Sequence, residues 1–348
     1  MRFPKPLKEN NTIGFVSPSF NCVEEPYKSG FEEGIKFLND RGYKTILGAN
    51  AYATGGIGIC STPESCAKEL MDEYISEASE ALISCGGGEL MCETISNVDF
   101  DAIKAAEPKW YMGYSDNTNF TFLLNTICDV ASIYGYCAST FGRKPMHDSL
   151  IKSMELLESD TCVSVHSYDK YEIESLKTPE NPCVAFNLTE DTHITGYEYS
   201  LDGHKEVSSL SMNGRLVGGC LDCLINLCGT RFDKVSEFNE HYKEDGIIWF
   251  LESCDLNVYD MRRAMWHLKE AGWFKYAKGF IIGRPVHPDE MFGLDVKNAY
   301  IKTAEELKVP IVFGADIGHV PPMMPLISGA YSELAFDNGA LNIKMHKR

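Results

Sequence analysis

The sequence predicts an α/β protein with an N-terminal, mostly parallel sheet flanked by helices and a second, C-terminal α/β domain. In the first half, short apolar runs alternate with longer segments of helical periodicity, the pattern of strand–helix units that build parallel sheets. A polar, proline-bearing stretch at 178–182 interrupts this pattern, which resumes near residue 214. We therefore predict an N-terminal domain at 1–165, a linker and insertion at 166–212, and a C-terminal domain at 213–348.

The elements follow from local periodicity and from capping and turn residues. The predicted N-terminal elements are a short strand that breaks into a loop within 12–18, a helix at 27–41 that ends at Gly42, a strand at 43–47, a helix at 63–80, a strand at 81–85, and a strand at 109–113 followed by a helix. The predicted linker and insertion contain a polar hairpin or loop at 195–209. The predicted C-terminal elements are a helix at 220–228, a strand at 247–252, a helix at 259–271, a strand at 279–283, another helix and a strand at 309–313.

Bulk properties exclude several classes of partner. The formal charge is −18 over 348 residues, so the surface repels phosphate backbones and anionic lipid headgroups. We expect no nucleic-acid partner and no membrane partner. The apolar runs are of strand length and the N-terminus lacks a secretory pattern, so we expect a cytoplasmic protein. Thirteen cysteines without a regular framework fit reduced thiols.

Cys220, Cys223 and Cys228 form the tightest cysteine cluster. Their spacing invites a metal interpretation, but they lie where apolar residues recur at helical spacing (216–227), and no second Cys-x-x-Cys or His pair is near. Buried structural thiols are the favoured interpretation, because cysteine is among the most buried residue types. We predict neither a metal nor a cofactor.

Ser115 is the candidate nucleophile. It stands in a tight turn between an apolar strand and a helix, which lifts a hydroxyl clear of the backbone and directs helix N–H groups toward its target. Downstream, Glu252 closes an apolar strand and His319 follows Gly318. A serine hydroxyl needs a histidine to accept its proton, and the histidine needs a carboxylate partner. Nucleophile, acid and base in this chain order predict a hydrolase.

Each residue also has a structural interpretation. Ser115 could equally be a helix N-cap, and the Gly-x-Ser-x-Gly motif is not met because Asn117 holds its fifth position. Considered alone, a glutamate such as Glu252 is more often a solvent-exposed residue at a strand end than a catalytic acid. A histidine such as His319 is likewise more often an ordinary loop residue than a catalytic base. The glycines at 86–88 are more often a plain turn than an oxyanion site. Together they could supply a triad, with N–H donors for an oxyanion from Asp116 and from a glycine at the neighbouring strand end.

At this point the chain resembles the LD-carboxypeptidase family of serine peptidases, which includes the microcin C self-immunity proteins. The resemblance runs from about residue 12 to 329. Its motifs are Val16-Ser17-Pro18, Gly86-Gly87, Gly113-Tyr114-Ser115-Asp116, Asn213-Gly214-Arg215-Leu216-Val217-Gly218-Gly219, Phe250-Leu251-Glu252 and Gly318-His319 followed by Pro325-Leu326.

The resemblance implies a nucleophile at Ser115, an orienting acid at Glu252, a base at His319, and oxyanion donors at Gly87 and Asp116. It further implies an active site in the cleft between the domains, a homodimer, and metal-free amide hydrolysis. The implied substrate is an L,D-linked muropeptide that loses a terminal D-amino acid. The alternative is a peptidyl- or aminoacyl-nucleotide conjugate, so the partner is a small peptide or peptide–nucleotide substrate.

This chain departs from the family pattern around the pocket. The departures are Gly88-Glu89 after the Gly86-Gly87 turn, Tyr136 after Tyr134-Gly135, Arg262 in place of the family's aspartate within the segment 259–263, and Ser328 between Ile327 and Gly329. They motivate a third hypothesis, a degenerate and non-catalytic binding protein. The sequence gives little support to a dinucleotide site at 86–88, because the Gly-x-Gly-x-x-Gly motif is absent. Met91 stands where its last glycine would be.

Overall fold

In the computed structural model, which describes residues 1–347, most strands belong to a six-stranded and a nine-stranded sheet. The strands are β1 Thr12–Val16, β2 Lys44–Leu47, β3 Ala81–Ser84, β4 Trp110–Gly113, β5 Ser132–Tyr134, β6 Cys162–His166, β7 Lys170–Tyr171, β8 Glu190–Asp191, β9 Thr195–Ser200, β10 Gly203–Val207, β11 Ser209–Cys220, β12 Ile247–Glu252, β13 Ala277–Gly283, β14 Ile311–Ala315, β15 Leu326–Ser328, β16 Tyr331–Asp337 and β17 Ala340–His346.

Helices cover both sheets. They are α1 Tyr27–Asp40, α2 Pro63–Ile75, α3 Met91–Ile95, α4 Phe100–Ala105, α5 Thr118–Thr126, α6 Asp148–Glu158, α7 Leu221–Leu227, α8 Val235–His241, α9 Val258–Glu270 and α10 Val296–Leu307, with 3₁₀ turns at Ser115–Asn117 and Ala138–Gly142. Within residues 1–347, no helix combines the length and apolarity needed to cross a membrane.

The six-stranded sheet has the order β15-β5-β4-β3-β1-β2. Strands β1 to β5 are parallel and β15 is antiparallel to β5. The chain runs outward from β1 to β2 and then returns past β1 to β3, so the strand order reverses between β1 and β3. In open α/β sheets ligands bind at such a reversal, outside the carboxyl ends of the strands. The loops after β1, β3 and β4 therefore meet where a site is expected.

The nine-stranded sheet has the order β10-β9-β14-β13-β12-β11-β16-β17-β6. Its centre, from β11 to β14, is parallel, and the flanking pairs are antiparallel. The carboxyl ends of the central strands place Glu252 at the end of β12, and the loop after β14 carries His319.

The predicted two-domain α/β class is confirmed. The sheets nevertheless exchange strands. Strand β15, from the C-terminal part of the chain, pairs with β5, whereas β6 pairs with β17. The predicted polar hairpin forms β9 and β10 at an edge of the larger sheet. Neither sheet is therefore built from one continuous stretch of the chain, and the domain ranges 1–165, 166–212 and 213–348 stay predictions.

Two element predictions were wrong in part. The helical spacing noted at 216–227 is strand up to Cys220, because β11 is buried on both faces there, and a continuous apolar run does not distinguish strand from helix. The helix predicted at 220–228 is present as α7. The helix predicted at 63–80 ends at Ile75, since Ser76 is extended (ψ 145°) and its hydroxyl accepts the Ala78 N–H.

The helix behind Ser115 packs against the C-terminal domain. Phe122 of α5 stacks on Trp273 with ring centroids 5.2 Å apart, and Trp249 of β12 stacks on the same tryptophan at 5.9 Å. All three rings are buried. This shared aromatic core fixes α5 relative to β12, the strand that ends in Glu252.

Candidate active site

Ser115 occupies a strained turn between β4 and α5. Its φ is +63°, in the left-handed region that few residues other than glycine adopt, while Tyr114 before it is extended. A sharp strand-to-helix turn of this kind exposes a nucleophilic side chain at the end of a sheet. The structure thus places Ser115 at the carboxyl edge of the six-stranded sheet, as the sequence predicted.

Gly87 lies directly beside Ser115. A Cβ at position 87 would come within 3.1 Å of both Cβ and Oγ of Ser115, so any larger residue here would press on the Ser115 side chain. Neither the Gly87 N–H nor the Asp116 N–H donates a hydrogen bond to another residue in the described range 1–347. Both predicted oxyanion donors therefore lie next to the hydroxyl with their N–H groups free.

The structure brings Ser115, His319 and Glu252 together. His319 Nε2 is 2.8 Å from Ser115 Oγ, and His319 Nδ1 is 2.8 Å from Glu252 Oε2. A carboxylate only accepts hydrogen bonds, so Nδ1–H donates to Glu252, which leaves Nε2 of the neutral ring to accept the Ser115 hydroxyl proton. Gly318 permits this approach: its φ is +98°, and a Cβ there would lie 2.3 Å from Glu252 Oε2.

Glu252 and His319 shift each other's proton affinity. Burial acts to raise the pKa of Glu252, but His319, with hydrogen bonds from Tyr134 and Cys220, holds that pKa below its ordinary value. Burial acts to lower the pKa of His319, but the Glu252 carboxylate, together with the neighbouring Cys254, raises it well above 6.5. The pair is therefore arranged to hold a proton on the imidazole.

Tyr134 is a site residue to which the sequence analysis gave no role. Its hydroxyl donates to Glu252 Oε1 and accepts the Ser115 N–H at 3.3 Å, so it links Glu252 of one domain to Ser115 of the other. Its side chain is fully buried. The available signal was its position at the end of β5, the strand next to β4, within the Tyr134-Gly135-Tyr136 motif.

The side chain of Asp116 anchors the loops around Ser115. Asp116 Oδ2 accepts the Ser19 hydroxyl at 2.6 Å and the Met91 N–H at 2.8 Å, and Oδ1 accepts Asn119 Nδ2 at 2.9 Å. Burial raises the pKa of Asp116, and these hydrogen bonds oppose that rise. The loop after β1, the start of α3 and the first turn of α5 are thereby tied to one carboxylate.

The two other acids considered as partners of His319, Asp316 and Asp255, do not contact its ring. Asp316 pairs with Arg284 at 2.6 Å and accepts the Tyr168 N–H at 2.7 Å. Asp255 is exposed, on the loop after β12. Glu252 is therefore the carboxylate that contacts the imidazole.

Two cavities meet at Ser115. The larger, of about 590 Å³, extends over the loops after β1 and β3 and is lined by Phe20, Tyr27, Tyr114 and the glycines at 86–88. The smaller, of about 320 Å³, lies between α3, α5, α7 and the loop after β12. Both cavities are lined by Ser115, Gly88, Glu89 and Cys254. A bound molecule that spans the two cavities therefore passes over the Ser115 hydroxyl.

The cysteine cluster lies beside this site. Cys220, Cys223 and Cys228 are buried free thiols. Among residues 1–347, no set of three or more His, Cys, Asp or Glu side chains is arranged to hold a metal ion.

Comparison with known proteins assigns the family. Residues 13–135 match the LD-carboxypeptidase N-terminal domain, and residues 213–334 match the LD-carboxypeptidase C-terminal domain. The chain belongs to the LD-carboxypeptidase family. The resemblance drawn from the motifs is thereby confirmed, and the family is one of serine-type carboxypeptidases.

Relatives match along nearly the whole chain. The microcin C7 self-immunity protein MccF of Escherichia coli is 25% identical over 357 residues, covering 97% of this chain and 94% of that protein. An MccF-like protein from Bacillus anthracis superposes with a TM-score of 0.82 at 19% identity, over 99% of each chain. MccF in complex with aspartyl sulfamoyl adenosine superposes with a TM-score of 0.79 at 21% identity, covering 99% of this chain and 98% of that one. At these identities the solved structures establish the shared fold.

Proposed function

We propose that this LD-carboxypeptidase family member is a serine amidohydrolase in which Ser115 is the nucleophile, His319 the general base and Glu252 the orienting acid. One observation carries the proposal: the continuous hydrogen-bond chain from Ser115 Oγ through both nitrogens of His319 to Glu252. A strained turn, free N–H groups at Gly87 and Asp116, and a substrate-sized cavity at the hydroxyl support it.

The reaction then follows triad chemistry. Ser115 Oγ attacks the amide carbonyl as its proton passes to His319 Nε2, and the oxyanion is held by the N–H groups of Gly87 and Asp116. Glu252 stabilises the imidazolium. His319 returns the proton to the leaving amine as the C–N bond breaks, which leaves an acyl-Ser115. Water, deprotonated by His319, attacks that ester, and the acid product and the free hydroxyl are released.

For the substrate, we propose an L,D-linked muropeptide that loses its terminal D-amino acid, the substrate that the family resemblance implies. A peptidyl- or aminoacyl-nucleotide conjugate is the second candidate. It is favoured by the near full-length match to MccF, whose solved complexes contain aspartyl sulfamoyl adenosine and glutamyl sulfamoyl guanosine.

Two measurements test the proposal. Incubation with a fluorophosphonate should add the phosphonyl group to Ser115, located by peptide mass spectrometry. The protein should also be incubated separately with muramoyl tetrapeptide and with aminoacyl-sulfamoyl adenosines, and mass spectrometry should show which compound is hydrolysed. EDTA should leave the rate of that hydrolysis unchanged. Folded protein that neither reacts with the probe nor hydrolyses any of these substrates would instead be the non-catalytic binding protein.

The assembly is a separate proposal. The homodimer implied by the family resemblance predicts a mass near twice 38.9 kDa in size-exclusion chromatography with light scattering.

A further inference from the structure

Two cysteines contact each other behind the larger cavity. Cys60 Sγ and Cys66 Sγ are 3.6 Å apart, and both residues are buried with free thiols. Cys60 lies on the loop between β2 and α2, whereas Cys66 lies near the start of α2. Cys60 also lines the larger cavity beside Ser115, so a small solute in that cavity reaches this residue first.

The two thiols differ in proton affinity. Hydrogen bonds from the Cys60 thiol and the Ser61 N–H lower the pKa of Cys66, against the opposing effects of burial and of Glu69. The hydrogen bond to Cys66, together with burial, raises the pKa of Cys60. Cys66 is therefore the thiolate of the pair and Cys60 its proton donor. A thiol of low pKa in contact with a second thiol is the arrangement found at redox-sensitive cysteines.

Cys60 is connected to both proposed oxyanion donors through the loop after β1. Its N–H donates to Ser19 O at 2.9 Å, and the Ser19 hydroxyl donates to Asp116 Oδ2 at 2.6 Å. The next residue, Phe20, donates its N–H to Gly87 O at 2.8 Å. A displacement of Cys60 is therefore transmitted to Asp116 and to Gly87.

We propose that Cys60 and Cys66 are a dithiol that peroxide oxidises to a disulfide, and that this modification slows the reaction at Ser115. The modification goes beyond the proposed function, whereas its effect on the rate rests on that function. A disulfide holds its sulfur atoms about 2 Å apart, so Cys60 must move toward α2 and pull on the loop after β1. Transient disulfides of this kind are the usual ones in reducing compartments.

The oxidation balances with hydrogen peroxide as the two-electron oxidant. Cys60 passes its proton to Cys66 while its sulfur attacks one peroxide oxygen, so that an S–O bond forms, the O–O bond breaks and hydroxide leaves. That hydroxide takes the proton from Cys66 and becomes water. The Cys66 thiolate then attacks the sulfur of the Cys60 sulfenic acid. The S–S bond forms, the S–O bond breaks, and the departing hydroxide is protonated to a second water.

Peptide mass spectrometry and labelling of Ser115 test the two halves of the proposal separately. Residues 45–68 form one tryptic peptide, which contains Cys60, Cys66 and no other cysteine. The wild-type protein is treated with hydrogen peroxide, cleared of peroxide with catalase, unfolded and alkylated. The peptide should then carry no alkyl group and weigh two hydrogens less than its reduced form.

The rate at which a fluorophosphonate labels Ser115 reports the effect on the active site. After peroxide treatment this rate should fall roughly tenfold to hundredfold, the size of loss expected when catalytic groups are displaced. Reduction with dithiothreitol should restore it.

Cys66→Ala is the test variant, because Cys66 lies outside both cavities. It should be labelled at the wild-type rate and keep that rate after peroxide, since Cys60 then lacks both its proton acceptor and its disulfide partner. Cys66→Ser replaces it if thermal melting shows that the alanine variant is not folded. Cys162→Ala is the matched control: it removes an exposed thiol on β6 and should keep both the disulfide and the loss of labelling.

The outcomes separate this inference from the proposed function. Full alkylation of Cys60 and Cys66 after peroxide would overturn the dithiol but leave the serine hydrolase intact. A disulfide that leaves labelling unchanged would overturn the control of Ser115, and so would a Cys66→Ala protein that loses labelling as the wild type does. If the reduced wild-type protein is not labelled at all, the proposed function fails, whereas the peptide mass still decides whether the disulfide forms.

Discussion

The six-stranded sheet contributes backbone geometry to the site, whereas the nine-stranded sheet contributes titratable groups. On the first, Ser115 sits at φ +63° and two N–H groups are left free at Gly87 and Asp116. On the second, the partly exposed His319 donates a hydrogen bond to the fully buried Glu252. In the proposed mechanism, covalent bond formation and proton transfer therefore belong to different domains, which meet at the hydrogen bond between His319 and Ser115.

This division has a physical consequence. Any change that shifts the domains by a fraction of an ångström separates the base from the nucleophile, so the groups that tie the domains together matter as much as the triad. Tyr134 is one such tie. Thr118 is another, because its hydroxyl accepts the Cys220 N–H at 3.0 Å, at the point where β11 meets the first turn of α5.

The largest expected loss of activity comes from a change on the six-stranded sheet, the removal of the Ser115 hydroxyl. Ser115→Ala should reduce kcat by roughly 10⁶-fold, the loss seen when the nucleophile of a serine protease is removed. The fold should be kept, because the Ser115 side chain contacts chiefly His319. Ser236→Ala, an exposed serine on α8, is the matched control and should be fully active. Hydrolysis by Ser115→Ala at the wild-type rate would contradict the whole assignment.

On the titratable side, Glu252→Gln should reduce kcat by roughly 10⁴-fold, as the comparable change does in the best-studied triad. The amide cannot stabilise the imidazolium, and it favours the wrong tautomer of His319. Glu333→Gln is the control, because it removes a carboxylate that pairs with His346 at 2.9 Å on the surface. A drop of only a few-fold with unchanged melting would show that Glu252 does not orient the base.

The same division explains what the sequence could predict. Strand ends and turns are local features, so Ser115 and Glu252 could be placed at strand ends from apolar runs, and His319 was marked by the glycine before it. Chain order and the family resemblance then joined them. The strand β11 was missed in part because a strand buried on both faces has no alternation to detect.

Contacts between distant segments could not be predicted. Tyr134 meets Glu252 across 118 residues, and nothing local in the sequence near residue 134 signals that partner. The pairing of β15 with β5 and of β6 with β17 likewise depends on tertiary packing.

A smaller loss of activity is expected when Tyr134, which hydrogen-bonds both Glu252 and Ser115, is replaced. Tyr134→Phe removes a donor to Glu252 and an acceptor for the Ser115 N–H, so we expect a roughly ten- to hundredfold loss of kcat/KM. Without that donor the Glu252 carboxylate becomes more basic, and the acid limb of the pH profile should move to higher pH. Tyr136→Phe is the control, because its hydroxyl bonds Ser149 and Met323 instead. If both variants lose activity without a shifted limb, Tyr134 is merely structural.

The smallest effect is the position of the acid limb itself. The base must be neutral to accept the Ser115 proton, so activity is lost as pH falls through the pKa of His319, which Glu252 raises well above 6.5 against the opposing effect of burial. The pH at which kcat/KM falls by half on the acid side reports the pKa of the base in the free enzyme. It should therefore lie above the ordinary pKa of a histidine.

In Glu252→Gln the carboxylate is gone and burial dominates, so the acid limb of the residual activity should move to lower pH. Glu333→Gln should leave that limb in place. Wild-type activity that is undiminished at about pH 5 would contradict a histidine base whose ordinary pKa is near 6.5. A limb that stays put in Glu252→Gln would mean that the raised pKa of His319 has another source, and Cys254, the other group that raises it, would be the next residue to replace.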